Sequence, residues 1–297
     1  MLGNSWHKKE MPLVSLIGMG GGIASPAFLA SIVLNILKPT VFSPADDTGV
    51  PDFDYTAESS AITNVNQISG GWSSASFDSN GASNQWKSVA YGNGKYVALG
   101  KVGNAYLAAN STDGINWTSY NTIPYTSYSH LAYGNGAFVA VGQNKIVYST
   151  DEGQSWSSAS VTSNWYKGVV YGGGKFVAVS EDGSNARVVI SSDGINWVGI
   201  PDTDSSAWQA VTYGGGKFVA VSQMGGVMYS SNGTNWSTTS ATESAVWNSV
   251  VYGNGKFVAV AGLKTMYSTD GINWFSGNNT VGYWKDIAFG DGRFVAV

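Results

Sequence analysis

Side chains able to do covalent or acid–base chemistry are scarce in these 297 residues, and that scarcity narrows what the chain can do. There is no cysteine, which removes thiol nucleophiles, disulfides and thiolate-bound zinc. His7 and His130 are the two histidines, too few for a metal centre built on several imidazoles. A nucleophilic relay of Ser, His and Asp would have to use His130, which falls inside a predicted strand. Glycoside hydrolysis needs two carboxyl groups facing one pocket. Of the five glutamates, Glu152 falls in a tight turn, Glu181 in a variable loop, and Glu10, Glu58 and Glu243 have no partner in the pattern. Clamping a substrate carboxylate calls for several guanidinium groups, whose planar fork matches its two oxygens. Arg187 and Arg293 are the two arginines, and Arg293 stands at a repeated position that Lys95 and Lys256 also occupy. These counts argue against an enzyme. No catalytic residue, cofactor or metal site is expected.

What remains is recognition chemistry. Trp165 and Tyr125 offer rings, Arg187 and Lys145 cationic donors, and Glu181 an acceptor. All five fall in stretches that vary along the chain, and they are the candidate ligand-binding residues. Their positions depend on a scaffold written around them six times. Its wording is aromatic-x-x-hydrophobic-x-aromatic-Gly-x-Gly-x-aromatic-Val-Ala, beginning at Trp86, Tyr128, Tyr166, Trp208, Trp247 and Trp284. The second aromatics, Tyr91, Tyr133, Tyr171, Tyr213, Tyr252 and Phe289, are 42, 38, 42, 39 and 37 residues apart. A period near ~40 with short alternating strands predicts an all-β fold, a β-propeller with one four-stranded antiparallel blade per repeat.

Each unit reads as four strands. Two flank the Gly-x-Gly turn, where Asn-Gly and Gly-Gly supply the positive φ of a tight hairpin. A third leads into a Ser-x-Asp-(x)-Gly turn that ends on Trp, at 111–117, 149–156, 191–197, 230–236 and 268–274, and a fourth follows. An Asp side chain can cap such a turn through backbone N–H groups two residues on. Ten of the twelve tryptophans sit at template positions and are expected to be buried between blades; Trp165 is off template. Five units are complete, and the sixth stops at Val297 after two strands. Residues 72–76 repeat the wording of 156–160 with no unit before them, which predicts a lone fourth strand closing the ring. The cut sixth unit predicts that the chain is the N-terminal part of a longer protein, because an open sheet edge is a liability.

The turn at 149–156 resembles the Asp box, S-x-D-x-G-x-x-W, of the sialidase-like propellers; the other four copies are one residue shorter, and one has Asn232 for Asp. The resemblance covers about residues 72–297 and speaks for architecture, since the same box occurs in enzymes and binding proteins. The wording YGNGKFVAV…YSTDGINW also resembles repeats in bacteriophage tail fibres and related bacterial surface proteins. That resemblance implies a virion-attached, homotrimeric fibre or appendage whose propeller binds a host-surface glycan or protein. The alternative is a secreted or membrane-anchored bacterial propeller acting as an assembly or binding factor, as repeat propellers do for photosystem II. A glycoside hydrolase comes third.

In a four-stranded meander successive turns alternate between the faces of the disc. The Gly-x-Gly and Ser–Asp turns share one face. The second-to-third and fourth-to-first loops share the other, with Tyr125, Lys145, Trp165, Glu181, Arg187, Gln223 and Met224. Variable loops on a rigid scaffold are where recognition is expected.

Residues 1–40 form an apolar attachment segment, with 11–37 carrying no charge and interrupted by Gly18–Gly22 and Pro26. It can be read as a signal peptide, a membrane anchor or a segment buried among other subunits. The Gly-rich interruption favours the last, with other virion subunits as partners and a membrane not expected. Residues 41–71 read as a linker or small β element, and 72–297 as the propeller. Asp46, Asp47, Asp52, Asp54 and Glu58 could bind Ca²⁺, although a solvated acidic loop is the preferred reading. A net charge of −4 without a basic stripe argues against nucleic acid, and the Lys-poor polar composition fits a virion, extracellular or cell-surface protein. Removing residues 1–40 is expected to abolish incorporation into a particle while the repeats stay folded and soluble. Co-sedimentation with particles and circular dichroism check both. Membrane retention that resists high salt and yields to detergent would instead identify a lipid anchor.

Overall fold

The computed structural model describes residues 76–77, 85–102, 105–120, 123–124, 127–183, 186–201, 204–277, 283–290 and 293–297. The apolar segment 1–40, the linker 41–71, Trp72 and Tyr125 lie outside them. The described residues form strands and no helix. Blade I holds β1 (Ser76–Phe77), β2 (Gln85–Gly92), β3 (Lys95–Val102), β4 (Ala105–Ser111) and β5 (Asn116–Tyr120). Blade II holds β6 (Tyr128–Gly134), β7 (Ala137–Gly142), β8 (Lys145–Ser149) and β9 (Ser157–Ser158). Blade III holds β10 (Tyr166–Gly172), β11 (Lys175–Ser180), β12 (Val188–Ser191) and β13 (Val198–Ile200). Blade IV holds β14 (Trp208–Gly214), β15 (Lys217–Ser222), β16 (Gly226–Ser230) and β17 (Ser237–Ser240). Blade V holds β18 (Ser249–Gly253), β19 (Lys256–Ala261), β20 (Lys264–Ser268) and β21 (Phe275–Ser276). Blade VI holds β22 (Ile287–Gly290) and β23 (Arg293–Ala296).

Within each blade consecutive strands pair antiparallel, and the first strands of successive blades pack side by side. This is the β-propeller that the repeat predicts, with five complete blades and a two-stranded sixth. β1 is the exception to the meander: Ser76 pairs in parallel with Asn116 and Phe77 with Trp117. Ser160 makes the same parallel bridge to Asn196. Ser76 therefore stands beside blade I where the tail of blade II's fourth strand stands beside blade III. Among the described residues it pairs with β5 and with no strand of blade VI, the position that a preceding blade's fourth strand takes beside the next blade.

The apolar layers lie between blades. Val177 and Val179 of blade III pack with Trp208, Val211, Phe218 and Met228 of blade IV. In blades II to V the second strand has a blade on both sides, and its run Phe-Val-Ala-Val is buried throughout rather than alternately. Each Phe and Val of the run contributes about 1.5–3 kcal/mol on leaving water. Among the described template tryptophans, Trp117, Trp208, Trp247 and Trp274 are buried, and Trp86, Trp156, Trp197, Trp236 and Trp284 are partly so. None is exposed.

Blades are registered by a ring seated on a glycine. Tyr133 lies against Gly92, Tyr171 against Gly134, Tyr213 against Gly172, Tyr252 against Gly214 and Phe289 against Gly253, and a Cβ on any of these glycines would overlap the ring. The same rings meet the next aromatic of their own blade, Tyr171 to Phe176 at 4.8 Å and Tyr213 to Phe218 at 4.6 Å between centroids.

The Ser–Asp turns cap themselves. In blade III the Ser191 hydroxyl donates to Asp193 Oδ1 (2.8 Å) and accepts from Gly194 N (2.8 Å). Asp193 Oδ1 also accepts from Ile195 N and Asn196 N, both 2.8 Å, and Oδ2 from Asn196 Nδ2 (2.8 Å). Trp197 Nε1 then closes onto Gly194 O (3.0 Å). Donation from the Asn196 backbone, above all, holds the Asp193 carboxyl well below the usual carboxylate range, and Asn116 does the same for Asp113. Blade IV makes the turn with a neutral group: Asn232 Oδ1 accepts from Thr234 N and Asn235 N, both 2.9 Å. A carboxyl depressed in the folded state contributes stability above its ordinary pKa and loses it as pH falls toward the folded value. Acid titration is therefore expected to weaken the fold below about pH 4, and Asp193→Asn to flatten part of that slope. Asp193→Ala, which uncaps the turn, should cost about 1 kcal/mol at neutral pH. Urea unfolding at several pH values measures all three.

Candidate functional site

Hydrogen bonds between neighbouring blades confirm which turns share a face. Lys175 Nζ donates to Asn232 O (2.7 Å), and Asn135 Nδ2 to Ser192 O (3.0 Å), each joining a Gly-x-Gly turn to the next blade's Ser–Asp turn. Glu152, the extra residue of the longer turn, sits at φ 64°. Its carboxylate takes Lys95 (3.4 Å) and Asn93 Nδ2 (3.2 Å), and its carbonyl takes Asn110 Nδ2 (3.0 Å). On this face the conserved chemistry of the repeat is used to hold blades together. His130 is also engaged structurally. Its Nδ1 meets Val169 O at 3.1 Å, whereas a nucleophilic relay turns that nitrogen to a carboxylate. Burial pushes its pKa down, against the attraction of Asp286.

On the opposite face, three of the five candidate residues come together between blades III and IV. Glu181 is the hub. Its Oε2 lies 3.1 Å from Lys167 Nζ and accepts from Gln209 Nε2 (3.2 Å) and Gln223 Nε2 (3.3 Å). Oε1 makes no hydrogen bond to the described residues. Trp165 brackets the hub from behind: its carbonyl accepts from Glu181 N (3.1 Å) and its amide donates to Asp182 Oδ1 (2.5 Å). The Lys167 ammonium stands 3.8 Å from the centre of the Trp165 ring, a close cation–π contact. One face of the ring is thus covered by the cation. Trp165 Nε1 is buried and bonds to none of the described residues.

Arg187 fastens the loop that carries the hub. Its Nη1 donates to Glu181 O (2.6 Å) and to Ser206 O (3.0 Å) in the linker to blade IV. Nε and Nη2 make no bond among the described residues. Lys145 opens β8 on the same face one blade earlier, where Asn144 N donates to Asn164 O (2.9 Å), but it is not among the groups that meet at Glu181.

Lys167 and Gln209 are functional neighbours that sequence reasoning missed. Each directly follows the aromatic that opens its repeat, a position filled by Lys87, Ser129, Lys167, Gln209, Asn248 and Lys285. In blades I to IV the strand register shifts across this residue, between Trp86 and Ser88, Tyr128 and His130, Tyr166 and Gly168, and Trp208 and Ala210. A bulge of this kind turns the extra side chain away from the pleat. The sequence signal was a polar residue directly after the opening aromatic in every copy.

No family model matches the chain, and no curated protein does. Solved structures do, and they agree on a β-propeller. The structure described as YCF48 bound to D1 peptide is 19% identical with a TM-score of 0.51, covering 67% of this chain and 68% of the other. YCF48 from Cyanidioschyzon merolae is 14% identical with a TM-score of 0.52, covering 72% and 82%. A computationally designed protein, Ika8, is 11% identical with a TM-score of 0.56, covering 75% and 70%. At these identities the likeness is one of fold alone.

Proposed function

We propose that this chain is a subunit of a virion-attached bacteriophage fibre or appendage, whose propeller binds a host-surface glycan or protein through its loop face. Residues 1–40 then dock to other tail subunits, and the assembly is a homotrimer. The carrying observation is the Glu181 cluster. Two side-chain amides, an ammonium and a carboxylate meet where the loops vary, while the turn face is taken up in joining blades. Glu181 Oε1 and Arg187 Nε and Nη2, unengaged by the described residues, supply an acceptor and donors. Such a mixture suits hydroxyl-rich ligands, whose OH groups need both kinds of partner.

A second reading, an assembly or binding factor that takes a peptide, is favoured by the likeness to a propeller described as bound to D1 peptide. A glycan array and host-cell adsorption separate the two. With the full chain, Glu181→Gln and Arg187→Ala are expected to weaken glycan binding about tenfold or more, whereas Asp113→Asn on the turn face leaves it unchanged. An array that stays blank, with adsorption indifferent to both loop-face variants, would overturn the glycan reading.

A further inference from the structure

The hydrogen bonds at Glu181 fix more than the place of its carboxylate. A carboxylate has no proton to give, so the two amides that meet Oε2, Gln209 at 3.2 Å and Gln223 at 3.3 Å, both turn their NH₂ groups to it. Each amide then carries its oxygen on the other arm, and neither oxygen bonds to the described residues. With Glu181 Oε1 that makes three acceptors around one centre. The Lys167 and Glu181 side chains are 20% and 18% exposed, and Gln209 and Gln223 are partly buried, so the cluster lies at the surface without projecting from it. Gln143, exposed and bridged backbone to backbone with Trp165, adds an uncharged amide on the blade II side.

The charges of the cluster are already matched. Lys167 Nζ holds Glu181 at 3.1 Å and stands 3.8 Å from the centre of the Trp165 ring. Arg187 is latched to the carbonyls of Glu181 (2.6 Å) and Ser206 (3.0 Å). Asp182, whose Oδ1 takes Trp165 N, supplies a second carboxylate. Two positive and two negative side chains thus share the site, and a charged ligand disturbs that balance with either sign. An anion only accepts hydrogen bonds, and it would approach three acceptors and the carboxylate of Asp182. An ammonium group would suit the oxygens, but it would compete with Lys167 for Glu181 and stand beside Arg187. A hydroxyl meets neither objection: it donates to the oxygens and accepts from Arg187 Nε or Nη2.

We propose that the Glu181 cluster selects an uncharged, hydroxyl-rich saccharide over carboxylated or amine-bearing ones, with Gln209 and Gln223 as specificity-determining residues. This rests on the glycan-binding reading above and names the class of glycan that the site takes.

The test places the labelled full chain on an array that prints neutral oligosaccharides beside their sialylated, uronic and de-N-acetylated counterparts. Neutral members are expected to bind about tenfold or more above each charged counterpart, with no loss on adding salt. Gln223→Leu should weaken that binding about tenfold. Glu181→Gln frees the amides to turn and leaves the site net positive, so it should shrink the margin against carboxylated members by about the same factor. Thermal melts check folding, and Gln209→Leu replaces Gln223→Leu if that variant melts early. Equal or stronger binding of charged members overturns the proposal and leaves the glycan reading in place. Neutral binding that added salt abolishes, or that ignores the glutamine variants, overturns it likewise. A blank array overturns the glycan reading, and the proposal with it.

Discussion

The ring seated on a glycine is the contact on which the rest depends. Each repeat carries both halves of it in adjacent residues: Tyr133 packs back on Gly92 while Gly134 receives Tyr171, and so on to Phe289 on Gly253. The contact is therefore head to tail, and it propagates from one blade to the next without a change of wording. A blade alone could not bury Phe176 or Phe218, because the second layer of each apolar sandwich belongs to its neighbour. Placing the ring where a Cβ would otherwise stand brings the first strands close enough for side chains to satisfy their open edges. Ser88 Oγ accepts Leu131 N (3.0 Å), and Asn248 Nδ2 donates to Trp284 O (2.7 Å), each across a blade boundary. Unpaired strand edges are thus covered from within the ring.

That arrangement divides the two faces by what their polar groups are doing. Turn-face side chains complete hydrogen bonds that the repeat itself creates, and Asn232 shows that the geometry needs an oxygen rather than a charge. Loop-face residues have no such duty, so they are free to differ, and the scaffold still holds them in register. Glu181 illustrates the result: a loop residue fixed by a backbone bond to Trp165 and by a guanidinium latch to the next blade, yet with one carboxylate oxygen hydrogen-bonded to none of the described residues. Recognition groups held this firmly lose little conformational freedom on binding.

The fold was legible because its determinants recur. Repeated Gly-x-Gly turns, buried aromatic positions and Ser–Asp turns each predict a strand boundary, and six copies remove the ambiguity of one. The face carrying the variable loops followed from strand order alone. The contents of the site were less legible. Trp165, Glu181 and Arg187 were recognisable as off-template, but not that Lys167 would cover a face of the tryptophan ring or that Arg187 would bond backbone carbonyls. Lys167 and Gln209 looked like strand residues in an unbroken pattern. A one-residue bulge, which the pattern does not encode, brings them to the hub. Lys145 and Glu181 seemed equivalent as loop charges; blade geometry puts one at the cluster and the other a blade away.

The most direct measurement is the urea unfolding of Gly172→Ala, with hydrogen exchange followed in the folded state. Gly172 does not sit at positive φ, so the substitution tests the Tyr213 contact and not backbone strain. The account predicts a loss of about 1–3 kcal/mol, as for other overpacked sites. It also predicts faster exchange in both blade III and blade IV, including the loop that carries Glu181. An unchanged midpoint, or loosening confined to blade III, would contradict the claim that seated rings couple the blades and hold the loop face.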